Sequence, residues 1–158
     1  MDQNAEQVVN LLIQRKWHIS FAESCTGGLA AAALVDVPNA SRVLEVSVVT
    51  YASEAKVRVL GVRQETIDRF SVVSEPVARE MAEGAALAGQ AEVGVGITGV
   101  AGPSGGTAES PVGTVCFGFF MNGRERQVTK HFGSIGRQAV RRASVAFVFE
   151  TLREMLEI

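Results

Sequence analysis

The chain has 158 residues, 47% of them hydrophobic and 20% charged, with 15 Lys and Arg against 17 Asp and Glu for a net charge of −2. This fits one globular domain with a substantial core and excludes a disordered chain. The charge gives no electrostatic case for nucleic acid, and no apolar run approaches membrane-spanning length. Two cysteines, Cys25 and Cys116, make no disulfide scaffold, so a reducing cytoplasm is expected. The polar, acidic N-terminus predicts no signal peptide.

In chain order, Ala5, Val8, Val9 and Leu12 share one helical face and predict an amphipathic helix over residues 3–15. Residues 17–22 read as a first strand. After a turn at Ser24, Cys25, Thr26, Gly27 and Gly28, a small, apolar helix runs over residues 27–35 and ends before Pro38 and Asn39. The β-branched run 43–51 predicts a central strand. Ser53 is expected to cap a helix that Gly61 stops at Leu60, and a second short helix covers residues 64–70. Ser74 caps a third, over residues 75–87, with Pro76 in its first turn. A buried strand at 92–98 is followed by a glycine-rich loop over 99–111. Two more strands, 112–120 and 125–132, meet at Asn122-Gly123, a hairpin signal. Ser134 is expected to cap the last helix, to about residue 157. Its apolar residues (Val145, Phe147, Val148, Phe149, Leu152) lie on more than one face, as in a buried helix or a homo-oligomer contact. The order predicts an α/β fold, a three-layer α/β/α sandwich on a mixed, largely parallel sheet with an antiparallel hairpin edge, in a single domain over residues 1–158.

Ligands of such sheets gather at the carboxyl ends of parallel strands. If the strands are parallel neighbours, Ser24, Tyr51, Lys56, Thr98 and the loop glycines surround one cleft. A helix beginning after Gly28 turns its free N–H groups and positive dipole end toward that cleft, which suits a phosphate, a carboxylate or a developing oxyanion. Lys56 falls in the first turn of its helix, where the dipole disfavours a cation. A neutral lysine serves as general base to a serine, whereas a lysine on a solvated helix face does nothing. Tyr51, the only tyrosine, is placed to relay the proton or orient the amine. Cys25, at a helix N-terminus, is an alternative nucleophile.

Two motif matches carry less. Residues 94–99 fit G-x-G-x-x-G, but the glycines lie inside a strand and Pro103 follows in place of a helix, so close packing by a helix is the better reading. Residues 102–106 fit G-x-S-x-G, but no helix follows Ser104. That loop instead offers backbone N–H groups to an anion. Neither His18 nor His131 lies beside Ser24 in sequence, and no residues have metal-ligand spacing. Arg137 and Arg141, four apart on the last helix, are spaced to grip a phosphate.

Four segments carry a family resemblance: residues 22–28 (AESCTGG), residues 48–51 with Lys56, residues 72–75 (VVSE), and residues 96–103 (GITGVAGP) with 111–115 (PVGTV). Together they resemble the CinA C-terminal domain family across nearly the whole chain. Val46-Ser47, where a glycine pair is usual, and Ser110, where a lysine is common, depart from the pattern. The resemblance implies an amidohydrolase that converts nicotinamide mononucleotide to nicotinic acid mononucleotide and ammonia without cofactor or metal. It implies that Ser24, Tyr51 and Lys56 form the catalytic group, and it is the stand-alone form that the chain is similar to. Cys25, Thr26, Gly27 and Gly28 are then expected around the carboxamide. Thr98, Gly99, Gly102, Ser104, Gly105, Gly106, Arg137 and Arg141 are expected along the nucleotide, with the phosphate against the loop. Two other readings stay open: a non-catalytic nucleotide-binding module in a competence or DNA-damage pathway, and a serine hydrolase built on Ser104 and His131.

Overall fold

A computed structural model describes all residues, 1–158. Its elements follow the predicted order: α1 (Gln3–Arg15), β1 (Ile19–Glu23), α2 (Leu29–Val35), β2 (Leu44–Val49), α3 (Ser53–Leu60), α4 (Gln64–Phe70), α5 (Glu75–Gly89), β3 (Val93–Gly99), β4 (Thr114–Met121), β5 (Arg124–His131) and α6 (Arg137–Glu157), with one 3₁₀ turn at Ala40–Arg42. The five strands form one sheet in the order β2-β1-β3-β4-β5. β2, β1 and β3 are parallel, whereas β4 and β5 add an antiparallel hairpin.

One face of the sheet packs on α1, α2 and α6, where Phe21, Phe117, Phe149 and Leu152 belong to a single core of 27 buried residues. The other face carries α3, α4 and α5 over a smaller cluster that includes Ala22, Leu60, Val77 and Met81. The architecture is therefore the expected α/β/α sandwich. Val145, Val148, Phe149 and Leu152 of α6 are spent in the core of their own chain.

Three local expectations are corrected. β2 is an edge strand and not a central one; its residues alternate between half-buried and exposed, as Glu45 and Ser47 among the valines require. The centre belongs to β3, which is buried almost throughout. Ser53 is the first residue of α3, and Ala52, which has no capping side chain, precedes it. Ser134 does not cap α6, which begins three residues later behind Gly136. Ser74 does cap α5, accepting from the Val77 amide at 3.4 Å.

The glycines of residues 94–99 serve close packing. Gly96 of β3 and Gly118 of β4 are direct cross-strand partners. A Cβ on Gly96 would stand 2.3 Å from the Ala78 carbonyl oxygen of α5, and one on Gly118 would stand 2.2 Å from the same atom. Backbone lies directly on backbone here, so no rotamer change makes room. Gly96→Ala is expected to lower stability by about 1–3 kcal/mol, or to prevent folding, measured by urea denaturation.

Candidate active site

The parallel ladder brings three chain exits together. Glu23, Val49 and Ile97 lie in register at the carboxyl ends of β1, β2 and β3. Beyond them the Ser24 amide donates to Ile97 O and the Thr50 amide to Glu23 O, both at 3.0 Å. A cavity of about 160 Å³ opens above these ends, and Ser24, Cys25, Tyr51, Lys56, Val72, Val73 and Thr98 are among its lining residues.

Lys56 is 1% exposed and forms no salt bridge. Its Nζ lies 3.0 Å from Ser24 Oγ, 2.6 Å from Thr50 O and 3.4 Å from Tyr51 O. A neutral amine has two N–H donors and one lone pair. As an ammonium, Nζ donates to all three oxygens; as a neutral amine, it keeps two donors for the carbonyls and its lone pair for the Ser24 hydroxyl. Burial pushes the Lys56 pKa down from its ordinary value, with the nearby Cys25 opposing weakly. The solvated-lysine reading is thus overturned, and desolvation favours the neutral amine. Ser24 is itself buried at 8% exposure.

The other expected residues divide. Cys25 lines the cavity, but burial raises its thiol to about 11, outweighing the turn and Arg141. A thiol so shifted is protonated at neutral pH and is a poor nucleophile. Tyr51 reaches the cavity mouth, 60% exposed, where its hydroxyl accepts from Arg137 Nη2 at 3.0 Å. The Ser24–Lys56 contact is direct, with no hydroxyl between. Arg137 also donates to Gly102 O at 2.8 Å, so it links the end of β2 to the glycine loop. Arg141 sits apart from it, with Nε and Nη2 on the carbonyls of Cys25 and Thr26 at 3.0 and 3.2 Å. The Thr98 hydroxyl donates to Val72 O at 3.0 Å and ties down one wall. Gly99 ends β3 and lines the cavity, whereas Ser104, Gly105 and Gly106 are exposed in the loop beyond it.

The sequence reading missed Glu23. This carboxylate is fully buried at the end of β1 and accepts from the Ala30 and Ala31 amides at 2.9 and 3.1 Å. The first amides of α2 are therefore spent on the chain's own anion and are not free for a ligand. Gly27 and Gly28, at φ +56° and +100°, let the turn curl back far enough for this cap. The only signal in the sequence was an acidic residue at a strand end, seven positions before its partner.

Neither histidine serves the serine. His18 lies at the opposite end of β1, about 20 Å of extended chain away, between Glu45 and Glu92 at 3.6 Å each. His131 Nδ1 lies 3.3 Å from the Thr114 hydroxyl and has no hydrogen bond to Ser104.

An α/β/α sandwich with a buried serine–lysine pair at the carboxyl ends of its parallel strands defines the class of protein. The family model of the CinA C-terminal domain matches residues 1–156, and the chain belongs to that family. It is 43% identical over 151 residues to a CinA-like protein of Kosmotoga olearia and 42% identical over 146 residues to one of Fervidobacterium nodosum; the matches cover 96% and 92% of this chain. The chain spans little more than a third of such relatives, 36% of each of these two. Among solved structures, the competence/damage inducible protein CihA of Agrobacterium tumefaciens superposes with a TM-score of 0.95 at 38% identity, covering 99% of this chain and 95% of that one. A CinA superfamily protein of Enterobacter cloacae gives 0.94 at 34%, covering 98% and 91%. No helix is long and apolar enough to cross a membrane.

Proposed function

We propose that the chain is an amidohydrolase that deamidates nicotinamide mononucleotide to nicotinic acid mononucleotide and ammonia, with Ser24 as nucleophile and Lys56 as general base. The observation that supports this best is the Lys56 Nζ–Ser24 Oγ contact at 3.0 Å, made by a lysine buried without a carboxylate partner. Burying an uncompensated amine is unfavourable, and a module that only binds nucleotides has no need of it. The non-catalytic reading therefore leaves this pair unexplained.

In the proposed reaction Lys56 takes the Ser24 proton as Oγ bonds to the carboxamide carbon, and the carbonyl π pair moves onto its oxygen. The intermediate collapses by breaking the C–N bond. The proton on Lys56 passes to the leaving nitrogen, and ammonia departs. Water then attacks the acyl-serine, giving its proton to Lys56, and the ester C–O bond breaks to return the Ser24 hydroxyl. The 160 Å³ cavity suits the ring and carboxamide, and the phosphate lies outside it toward the glycine loop. Arg137, at the mouth beside Tyr51, is the arginine we assign to that phosphate.

The test is to incubate the purified protein with nicotinamide mononucleotide and follow ammonia. Release is expected with or without a chelator. Because the base acts neutral, kcat/KM should rise with pH through an apparent pKa below the ordinary lysine value of about 10.4. Absence of ammonia, or a rate flat across that range, overturns the reading.

A further inference from the structure

Thr98 lines the same cavity as Ser24, and the hydrogen of its hydroxyl is already committed to Val72 O. We propose that Thr98 is a specificity-determining residue: its hydroxyl meets the carboxamide as an acceptor only, so the site takes a primary amide by its N–H and turns away the carboxylate it produces. This rests on Ser24 being the nucleophile, and it places Thr98 at the reacting group and not along the nucleotide.

Glu23 and Ile97 are parallel partners, so the residues after them, Ser24 and Thr98, lie side by side where β1 and β3 end. Neighbouring strands stand about 4.8 Å apart, so a group bonded to Ser24 Oγ is within reach of the Thr98 hydroxyl. Both side chains stand on the face that carries α3 and α5. Ser24 Oγ meets Lys56 of α3, and Thr98 Oγ1 meets Val72, just before α5. On the other flank of Ser24 lies β2, and there the lysine fills the space, with Nζ 2.6 Å from Thr50 O. A carboxamide attacked by Ser24 therefore lies toward Thr98.

A threonine hydroxyl has one hydrogen and two lone pairs. Val72 O accepts from it at 3.0 Å and, being a carbonyl, has no hydrogen to give, so the Thr98 hydrogen points at Val72. What remains for the cavity is a lone pair. The carbonyls of Thr50 and Val72 are themselves spent, on Lys56 and Thr98. A carboxamide nitrogen brings two N–H donors, and Thr98 Oγ1 accepts one of them, which turns the carbonyl oxygen away from Thr98. An ester has no N–H to offer, and a carboxylate sets a charged oxygen against the lone pair. Selection thus comes from a mismatch built against the product as well as from a bond to the substrate. Thr98 is 1% exposed and shares the cavity with Val72, Val73 and Ala101, so the mismatch is felt in a largely apolar setting.

The experiment compares wild type, Thr98→Ser and Thr98→Val, after circular dichroism has shown that they fold. Each is assayed on nicotinamide mononucleotide and on the methyl ester of nicotinic acid mononucleotide, whose carbonyl is open to the same attack but carries no N–H. Thr98→Val is expected to lower kcat/KM for the amide by about 10- to 100-fold and to leave the ester within about three-fold of wild type. Thr98→Ser, which keeps the hydroxyl, should hold the wild-type preference. Equal losses on amide and ester would make Thr98 a support of the wall and overturn the proposal, as would an unchanged amide rate in folded Thr98→Val. Binding of the bare rings is measured alongside. Wild type should hold nicotinamide about ten-fold tighter than nicotinate or more, and the gap should close in Thr98→Val. Nicotinate bound as tightly as nicotinamide by wild type overturns the proposal even if Thr98→Val does not fold. If wild type releases no ammonia from the nucleotide, the substrate reading fails and the ring pair alone decides the role of Thr98. If it then binds neither ring, both fall.

Discussion

Ser24→Ala is expected to reduce ammonia release from nicotinamide mononucleotide to less than about 10⁻³ of wild type while leaving the protein folded. The loss is large because no second nucleophile stands in reach. The Cys25 thiol is held protonated by burial, and no other hydroxyl contacts Lys56. The fold should survive because the Ser24 backbone is anchored independently, by its amide on Ile97 O, and its hydroxyl has Lys56 as its one hydrogen-bond partner. Losing that bond should lower stability by about 1 kcal/mol. Fluorescence-monitored denaturation and an ammonia assay on one preparation check both halves, and a variant that still turns over removes Ser24 from the mechanism.

Lys56→Met should lower kcat by about 10²- to 10⁴-fold, the span of general acid–base catalysis. It should also alter how stability depends on pH. The folded-state pKa of Lys56 is depressed by burial. Between that pKa and the unfolded value of about 10.4, the unfolded chain binds a proton that the native chain does not, so native stability rises with pH. Lys56→Met loses this slope. Melting temperatures of wild type and variant, compared from neutral pH to about pH 10, should therefore shift in favour of wild type as pH rises. A constant difference would mean that Lys56 titrates normally and is no ready base. The slope is the diagnostic, since the offset between the curves also contains the Thr50 carbonyl that loses its Lys56 donor.

Much of this site was legible in the sequence because it follows from topology. Once β1, β2 and β3 are read as parallel, their exits must converge, and Ser24, Tyr51 and Lys56 come with them. The glycines of β3 were equally readable as a packing surface, since they fall inside a strand. What escaped is side-chain direction over long separations. Nothing local shows that Glu23 turns back to cap α2, which leaves the turn fewer free amides than its helix-start position suggests. The spacing of Arg137 and Arg141 puts them on one helical stripe. Their targets, the cavity mouth for one and the turn backbone for the other, depend on where α6 lies across the sheet. The β-branched run of β2 misled because its composition suits any strand, whereas its interleaved Glu45 and Ser47 mark the edge.

The backbone contact of α5 on Gly96 and Gly118 also bears on how the cavity meets a ligand. Val72 and Val73 lead directly into α5, and Ser24 leads directly out of β1, in the same sheet. Where α5 rests its main chain directly on Gly96 and Gly118, it has little room to slip across the sheet. The two walls thus share one rigid frame, and their spacing is set before any ligand arrives. Binding then loses conformational entropy chiefly at the rim, where the exposed Tyr51 and Arg137 must be ordered. Such a preorganised cleft selects by shape at its floor and adapts only at its lip.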